Sequence, residues 1–203
     1  MVKITILLFL FTRTNHSFSQ QNENYSNKTF ADSWEFVGVA VEEPGYTIWG
    51  NSPIIGDDGK THLFVARWPC ELKVAPGWST HSEIAHYVGD TPEGPFVFSD
   101  VALKGAGAKE GISEAPCNPA IHKVKTWDHN APHNPTIHKV KDLYVLLYIG
   151  NDGIEKHPSN QQIGMAVADS PYGPWKRVGK DGLILSPPKN EKYWNDKGRM
   201  AVN

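Results

Sequence analysis

The sequence predicts an all-β fold, a β-propeller fragment of about two four-stranded antiparallel blades. Three observations lead to this prediction: a repeated four-strand pattern, abundant turn residues, and no stretch with a convincing helical period. Of 203 residues, 18 are Gly, 15 are Pro and 11% are aromatic, which argues against disorder and coiled coil. The net charge of -2 argues against a nucleic-acid partner, because that needs clustered basic surface.

The repeat has two parts. Residues 82–96 and 161–175 share the pattern I-x-x-x-V-x-D-[TS]-P-x-G-P-[FW], at an offset of 79 residues. Upstream of each copy lies another matched pair, residues 51–55 with 63–65 and residues 133–137 with 144–148. Each unit therefore reads as four strands, which is the size of a propeller blade with long loops.

We place the partial propeller domain at residues 34–203, with blade one at about 34–105 and blade two at about 118–188. Its innermost strands are predicted near 52–56 and 135–139. Turn chemistry supports the hairpins, since DDGK at 57–60 is a strong tight-turn signal and residues 139–142 do the same less ideally. In both units a P-x-G-P segment ends one strand before an aromatic residue restarts the next.

The N-terminus reads as a signal peptide over residues 1–20. Lys3 supplies the positive start, residues 4–11 are apolar except for Thr5, and small residues surround a cleavage point near residue 19. A run of eight residues is too short to span a bilayer. We therefore expect export to the periplasm or outside the cell, followed by a flexible segment at 21–33; the alternative is a buried N-terminal strand.

Three features of the chain leave alternatives open. Cys70 and Cys117 form one disulfide in an oxidising compartment or remain two buried thiols. The run CNPAIHKVK at 117–125 recurs as HNPTIHKVK at 133–141, which we interpret as a local duplication, with an extra hairpin as the alternative. Residues 191–203 read as the start of a third unit, so we expect a C-terminally truncated fragment.

The chain contains four motifs, which are WGNSPII at 49–55, DDGK at 57–60, DTPEGPF at 90–96 and DSPYGPW at 169–175. They resemble those of the five-bladed β-propeller glycoside hydrolases of family 43 and the related family 117. The resemblance covers roughly residues 34–203. It implies a secreted bacterial enzyme that hydrolyses O-glycosidic bonds in plant or algal polysaccharide, with an oligo- or polysaccharide as its substrate and no membrane span. It also implies that two blades alone are inactive, because the general acid comes from a later blade.

One position departs from family 43. Where the resemblance implies an Asp before Pro as the general base, this chain has Asn51 and Ser52 before Pro53, and neither side chain accepts that proton. Three interpretations follow: the base lies elsewhere, the family is divergent, or the protein binds sugar without cleaving it. A propeller polysaccharide lyase is a further alternative, with candidates His133, Arg67 and Tyr148.

Asp128 and Glu83 are the predicted catalytic residues. Asp128 lies between an aromatic residue and a histidine just before the second innermost strand, a position that suits acid/base work or a loop cap. Glu83 has Gln162 as its counterpart in the second unit, so it is an acid in only one of two equivalent positions. We expect Glu83 to orient Asp128 or tune its proton affinity, with a solvated strand residue as the alternative.

Six further residues are expected to bind the substrate at the same mouth of the propeller: Trp49, Asn51, Arg67, His129, His133 and Asn134. An indole ring stacks on the apolar face of a sugar. Arg67 suits a bidentate contact with a sugar carboxylate or sulfate, or else pairs with Glu71 at the surface. No metal or other cofactor is expected, because the histidines show neither helical pairing nor Cys partners.

Overall fold

The computed structural model describes residues 32–36, 38–105, 127–129, 131–151 and 161–187. All strands and the helix below belong to one compact unit, Val39–Asn203, while Met1–Gly38 is a separate unit. Several predictions concern parts of the chain outside the described residues: the signal peptide at 1–20, most of the segment 21–33, the pairing of Cys70 with Cys117, the first copy of the duplication and the third unit at 191–203.

The first sheet has four antiparallel strands in the order β1-β2-β3-β4. They are β1 (Tyr46–Ile55), β2 (Thr61–Pro69), β3 (Glu83–Gly89) and β4 (Val97–Leu103). The predicted turn joins β1 to β2, where the Gly56 N–H donates to the Lys60 carbonyl at 2.9 Å. Gly59 has φ +77° in this turn, a conformation that glycine adopts without steric cost.

The second sheet repeats this arrangement in the order β5-β6-β7-β8, and a further strand, β9, also pairs with β7. The strands are β5 (His133–Val140), β6 (Leu143–Gly150), β7 (Gln162–Ala168), β8 (Lys176–Arg177) and β9 (Leu183–Leu185). Val140 pairs with Leu143, so the predicted turn at 139–142 is a two-residue hairpin. The mostly β architecture with two antiparallel sheets confirms the predicted fold class.

The repeated P-x-G-P segments make the same turn in both sheets. Gly94 and Gly173 have φ +82° and +81°, and each precedes a proline in a cis peptide bond. The Gly94 N–H donates to the Thr91 carbonyl at 3.0 Å, and the Gly173 N–H donates to the Ser170 carbonyl at 2.9 Å. The sequence repeat is therefore a repeat of backbone geometry.

A shared apolar core joins the two sheets. Its buried members are Phe64, Ile84 and Leu103 from the first sheet and Ile137, Tyr144, Leu146, Tyr148 and Ala166 from the second. Two hydrogen bonds cross between the sheets: the Ile137 N–H donates to Ser52 Oγ at 3.0 Å, and the Asp57 N–H donates to the Tyr144 hydroxyl at 2.9 Å. The first strands of the two sheets, β1 and β5, consequently lie next to each other.

One helix, α1 (Val74–Thr80), lies between β2 and β3, where the sequence shows no helical period. Pro76 and Gly77 are poor helix formers, which explains why α1 is not predicted. Gly77 packs so closely on Trp68 that an added Cβ would lie 2.1 Å from Trp68 Cδ1. Tertiary packing on Trp68 therefore stabilises α1 more than helix propensity does. Among the helices of the described part, none is long and apolar enough to cross a bilayer.

Candidate functional site

A β-bulge at Gly50 shapes the middle of β1. Trp49 pairs with Ala66 while Asn51 pairs with Val65, so Gly50, at φ +54°, is an extra residue in this strand. Directly paired residues point to the same side of a sheet. Trp49 therefore shares a face with Ala66, whereas Asn51 lies on the opposite face, although simple alternation would put Trp49 and Asn51 together.

Aromatic side chains cluster beside this bulge. Trp49 is 51% exposed, and its ring lies 6.2 Å from that of the buried Trp68. Trp68 packs on α1, and α1 also carries Trp78, whose ring meets His133 at the start of β5 edge-on at 5.0 Å. We call Trp49, Trp68, Trp78, His133 and Asn134 the mouth cluster. It combines the half-exposed indole of Trp49 with the buried rings of Trp68 and His133.

Asn134 completes this cluster from the second sheet. It lies in a bulge of β5, where His133 pairs with Ile149 and Thr136 pairs with Leu147. Asn134 has φ +48°, in the left-handed region that Asn tolerates better than most residues. A Cβ on Gly50 would lie 3.8 Å from Asn134 Oδ1, so the bulges of β1 and β5 are adjacent.

His133 is held in one neutral form. Its Nδ1 lies 2.8 Å from the Ala131 carbonyl, which only accepts hydrogen bonds, so Nδ1 carries the proton. Its Nε2 then accepts from Gln161 Nε2 at 3.3 Å. Burial lowers the pKa of His133 to about 4, because the ring is only 4% exposed. Near neutral pH, His133 thus has an uncharged acceptor nitrogen.

Arg67 and Glu83 lie together on the face of the first sheet that carries Val65. Arg67 Nε donates to Glu83 Oε1 at 2.9 Å, and Arg67 Nη1 donates to Glu43. The Arg67 guanidinium lies between the rings of Tyr46 and Phe98, at 4.1 and 4.3 Å from their centroids. Arg67 is 4% exposed, so the alternative of a surface pairing with Glu71 is wrong. The Arg67 N–H groups that we expected to donate to a sugar anion instead donate to the carboxylates of Glu43 and Glu83.

Asp128 forms a different buried ion pair. The Tyr148 hydroxyl and Arg177 Nε both donate to Asp128 Oδ2, at 2.9 and 2.7 Å. Asp128 is fully buried, and its Oδ1 has no hydrogen-bond partner among the described residues. Burial and the adjacent Asp128 charge raise the pKa of Tyr148. Arg177 Nη2 also donates to the Lys104 carbonyl at 2.6 Å, which ties this ion pair to the first sheet.

The structure therefore divides the eight predicted site residues. Three of them, Trp49, His133 and Asn134, lie in the mouth cluster. Arg67 and Glu83 pair with each other, Asp128 pairs with Arg177 beside a partly buried His129, and Asn51 is exposed on the other face of β1. The two predicted catalytic carboxylates thus bind different arginines.

The site residues predicted from the sequence include neither Gln161 nor Trp78. A signal for Gln161 existed, since the repeat aligns it with Ser82 and both residues directly precede the third strand of their sheets. No comparable signal connects Trp78 to His133, which lies 55 positions further along the chain. Within the ranges that the structure covers, no three His, Cys, Asp or Glu side chains are grouped to hold a metal ion.

No protein-family model matches the sequence, and no curated protein does so either. Solved structures do match. Zg3597, a family 117 glycoside hydrolase from the marine bacterium Zobellia galactanivorans, matches with a TM-score of 0.50 and 19% identity, over 73% of this chain and 37% of that chain. The GH43_1 enzyme from Xanthomonas citri, complexed with xylotriose, matches with a TM-score of 0.49 and 14% identity, over 77% of this chain and 40% of that chain.

The likeness to Zg3597 defines the class of fold. The two antiparallel sheets correspond to part of a propeller glycoside hydrolase, and the chain spans 37% of the length of Zg3597. This agrees with the predicted resemblance at the level of the fold.

Proposed function

We propose that this chain is part of an enzyme that hydrolyses O-glycosidic bonds, and that it binds an oligo- or polysaccharide at the mouth cluster. One observation carries the proposal: Trp49, whose ring is half-exposed, directly precedes Gly50, and a Cβ on Gly50 would lie 3.8 Å from Asn134 Oδ1 on the second sheet. An indole matches the apolar C–H face of a sugar ring, while the Asn134 amide pairs with its hydroxyls. The fold shared with Zg3597, a glycoside hydrolase, supports a glycan as the ligand.

Hydrolysis needs two carboxyl groups flanking the scissile bond, about 5 to 9.5 Å apart. Glu83 instead binds the buried Arg67, and the buried Asp128 binds the partly buried Arg177. We therefore propose that the mouth cluster positions the sugar and that carboxyl groups outside the described residues supply the proton donor and acceptor. In this proposal the enzyme is exported by means of residues 1–20 and degrades plant or algal polysaccharide.

A second candidate function is glycan binding without cleavage. Asn51 in place of an Asp, together with the pairing of Glu83 and Asp128 with arginines, favours it. A polysaccharide lyase is less well supported, because its three candidate residues lie in different groups. His133 is in the mouth cluster, Arg67 pairs with glutamates, and Tyr148 donates to Asp128.

Incubating the purified chain and a longer gene product with neutral and uronic oligosaccharides separates these functions. New reducing ends without an unsaturated product indicate hydrolysis, whereas absorbance of an unsaturated product indicates a lyase. Calorimetric binding without either product indicates the binding-only function. The absence of both binding and turnover with every glycan tested would contradict the proposed function.

Export is tested separately. N-terminal sequencing of protein recovered from the periplasm or medium should begin near residue 21. Intact protein that begins at residue 1 and stays in the cytoplasm would contradict export.

A further inference from the structure

A row of four side chains crosses the first sheet at its β1–β2 turn, at the opposite end of β1 from α1. Asp58 Oδ1 lies 3.0 Å from His62 Nε2, His62 Nδ1 lies 2.9 Å from His86 Nε2, and His86 Nδ1 lies 2.9 Å from Asp100 Oδ2. We call Asp58, His62, His86 and Asp100 the histidine row. No residue of this row belongs to the mouth cluster, so the inference goes beyond the proposed function.

The middle of the row is sealed from solvent. His62 and His86 are both 0% exposed, and Phe64 stacks on His86 with a centroid distance of 4.6 Å and an angle of 7°. Tyr172 from the second sheet presses its ring edge-on against both imidazoles, at 5.0 and 5.4 Å. Its hydroxyl donates to Asp58 Oδ2 at 3.1 Å. The row therefore connects β2, β3 and β4 to the second sheet.

The charged and titratable groups around the row are few. Asp57 precedes Asp58 in the turn, and Lys60 lies beside it, with its N–H donating to Asp58 Oδ1 at 3.1 Å and its Nζ pairing with Asp90 at 3.2 Å. Tyr172 faces the row from the second sheet. At the β4 end, the Ser99 hydroxyl donates to Asp100 Oδ2 at 2.7 Å.

The number of protons in the row follows from its hydrogen bonds. Three hydrogen bonds link four groups, so three protons are needed. Two neutral imidazoles carry one N–H each and supply only two. With both histidines neutral and both carboxylates ionised, one of the three contacts would bring two lone pairs together at 2.9 to 3.0 Å without a proton. The geometry thus requires one additional proton.

The surroundings indicate which group holds that proton. The hydrogen bond from His62 lowers the pKa of Asp58 to about 2. Burial alone would raise the pKa of Asp100, but hydrogen bonds from His86 and Ser99 outweigh it and the pKa is lowered. Both carboxyl groups are therefore ionised. Phe64 stacks face to face on His86, a contact that favours a cationic ring, whereas Lys60 lies at the Asp58 end of the row, next to His62. His86, between His62 and Asp100, is therefore the carrier.

We propose that the histidine row is a proton-holding lock: His86 is an imidazolium that donates to His62 and Asp100, while His62 is neutral and donates to Asp58. Loss of the additional proton removes one of the three hydrogen bonds and leaves the row with two adjacent lone pairs. Because Tyr172 contacts both imidazoles and Asp58, its packing against the first sheet changes when the proton is lost.

Nitrogen-15 NMR of the histidine rings in the unmodified full chain tests the proposal directly. At pH 7 we expect two protonated ring nitrogens on His86 and one, Nε2, on His62. On raising the pH, the Tyr172 ring signals should shift together with those of His86. A neutral His86 at pH 7 would overturn the proposal. Tyr172 ring signals that stay constant while those of His86 shift would show that the proton does not control the packing of Tyr172.

Asp100→Asn provides a second test. The Asn amide can donate to His86 Nδ1, so the row no longer needs the additional proton, and we expect His86 to be neutral at pH 7. Asp90→Asn is the matched control, because Asp90 is an exposed carboxylate that pairs with Lys60. It should leave the His86 imidazolium unchanged. An imidazolium that persists in Asp100→Asn contradicts the assignment, and the spectrum of the unmodified chain decides the matter if that variant fails to fold.

Discussion

The ring of Trp78 meets the ring of His133 edge-on, with 5.0 Å between their centroids. This contact joins α1, which lies between β2 and β3 of the first sheet, to the first residue of β5 in the second sheet. It also places α1, which the sequence does not predict, directly against the predicted sugar-binding surface. The mouth cluster consequently depends on how α1 packs on Trp68.

Gly77→Ala tests that dependence. Its new Cβ would lie 2.1 Å from Trp68 Cδ1, so α1 or Trp68 must move. We expect the free energy of unfolding to fall by about 1 to 3 kcal/mol, as in overpacked cores. Chemical denaturation measures the change. Val74→Ala, at a 49% exposed position of the same helix, is the control and should cost less than about 0.5 kcal/mol. Equal stability of Gly77→Ala and the unmodified chain would contradict the packing described.

The neutral His133 predicts a loss of stability in mild acid. Its pKa is about 4 in the folded protein, below the ordinary value of 6.5, so between these values the unfolded chain binds a proton that the folded chain does not. The stability due to neutral His133 is therefore present above pH 6.5 and is lost as the pH falls towards 4. The expected loss between about pH 7.5 and 5 is about 2 kcal/mol.

Denaturation curves at the two pH values measure this loss. His133→Asn should remove that part of the pH dependence. His138→Asn, at an exposed position of the same strand, should retain it. Identical pH dependence in the His133 variant and the unmodified chain would show that His133 is not buried in neutral form.

Asp128→Ala leaves Arg177 without its buried partner. We expect a loss of about 2 kcal/mol in unfolding free energy, because the Arg177 guanidinium is largely buried and loses its charged partner. Asp90→Ala removes an exposed carboxylate that pairs with Lys60, and it should cost less than about 1 kcal/mol. In an active protein, a hundredfold loss of turnover in a stably folded Asp128→Asn variant would instead support the catalytic role predicted from the sequence.

Arg67→Lys separates a structural role from substrate binding. Lys cannot reproduce the forked contact with Glu43 and Glu83 or the stacking between Tyr46 and Phe98. We expect a loss of about 2 kcal/mol in unfolding free energy, with no change in preference between neutral and uronic oligosaccharides. If the variant keeps its stability but selectively loses affinity for uronic oligosaccharides, Arg67 binds the substrate and its role is not structural.

The parts of the structure that sequence predicts best depend on local chemistry. Gly94 and Gly173 form the same turn because each lies in the same P-x-G-P segment, and Gly59 closes the first hairpin for a similarly local reason. The site is harder to predict because long-range pairing decides it. Arg67 pairs with Glu43, 24 residues away, and the extra residue at Gly50 puts Trp49 and Asn51 on opposite faces of the sheet. Neither feature follows from strand alternation.

The central claim is that the mouth cluster binds a glycan through Trp49. Calorimetric titration of the purified chain with the best-bound oligosaccharide of a panel tests it directly, using Trp49→Ala, the conservative Trp49→Phe, and Ile55→Ala at a 63% exposed position of the same strand. We expect Trp49→Ala to weaken binding about tenfold, because an aromatic stacking contact is worth about 1 kcal/mol or more. Trp49→Phe should retain most of the affinity, and Ile55→Ala should retain all of it. Unchanged affinity in Trp49→Ala would contradict the account.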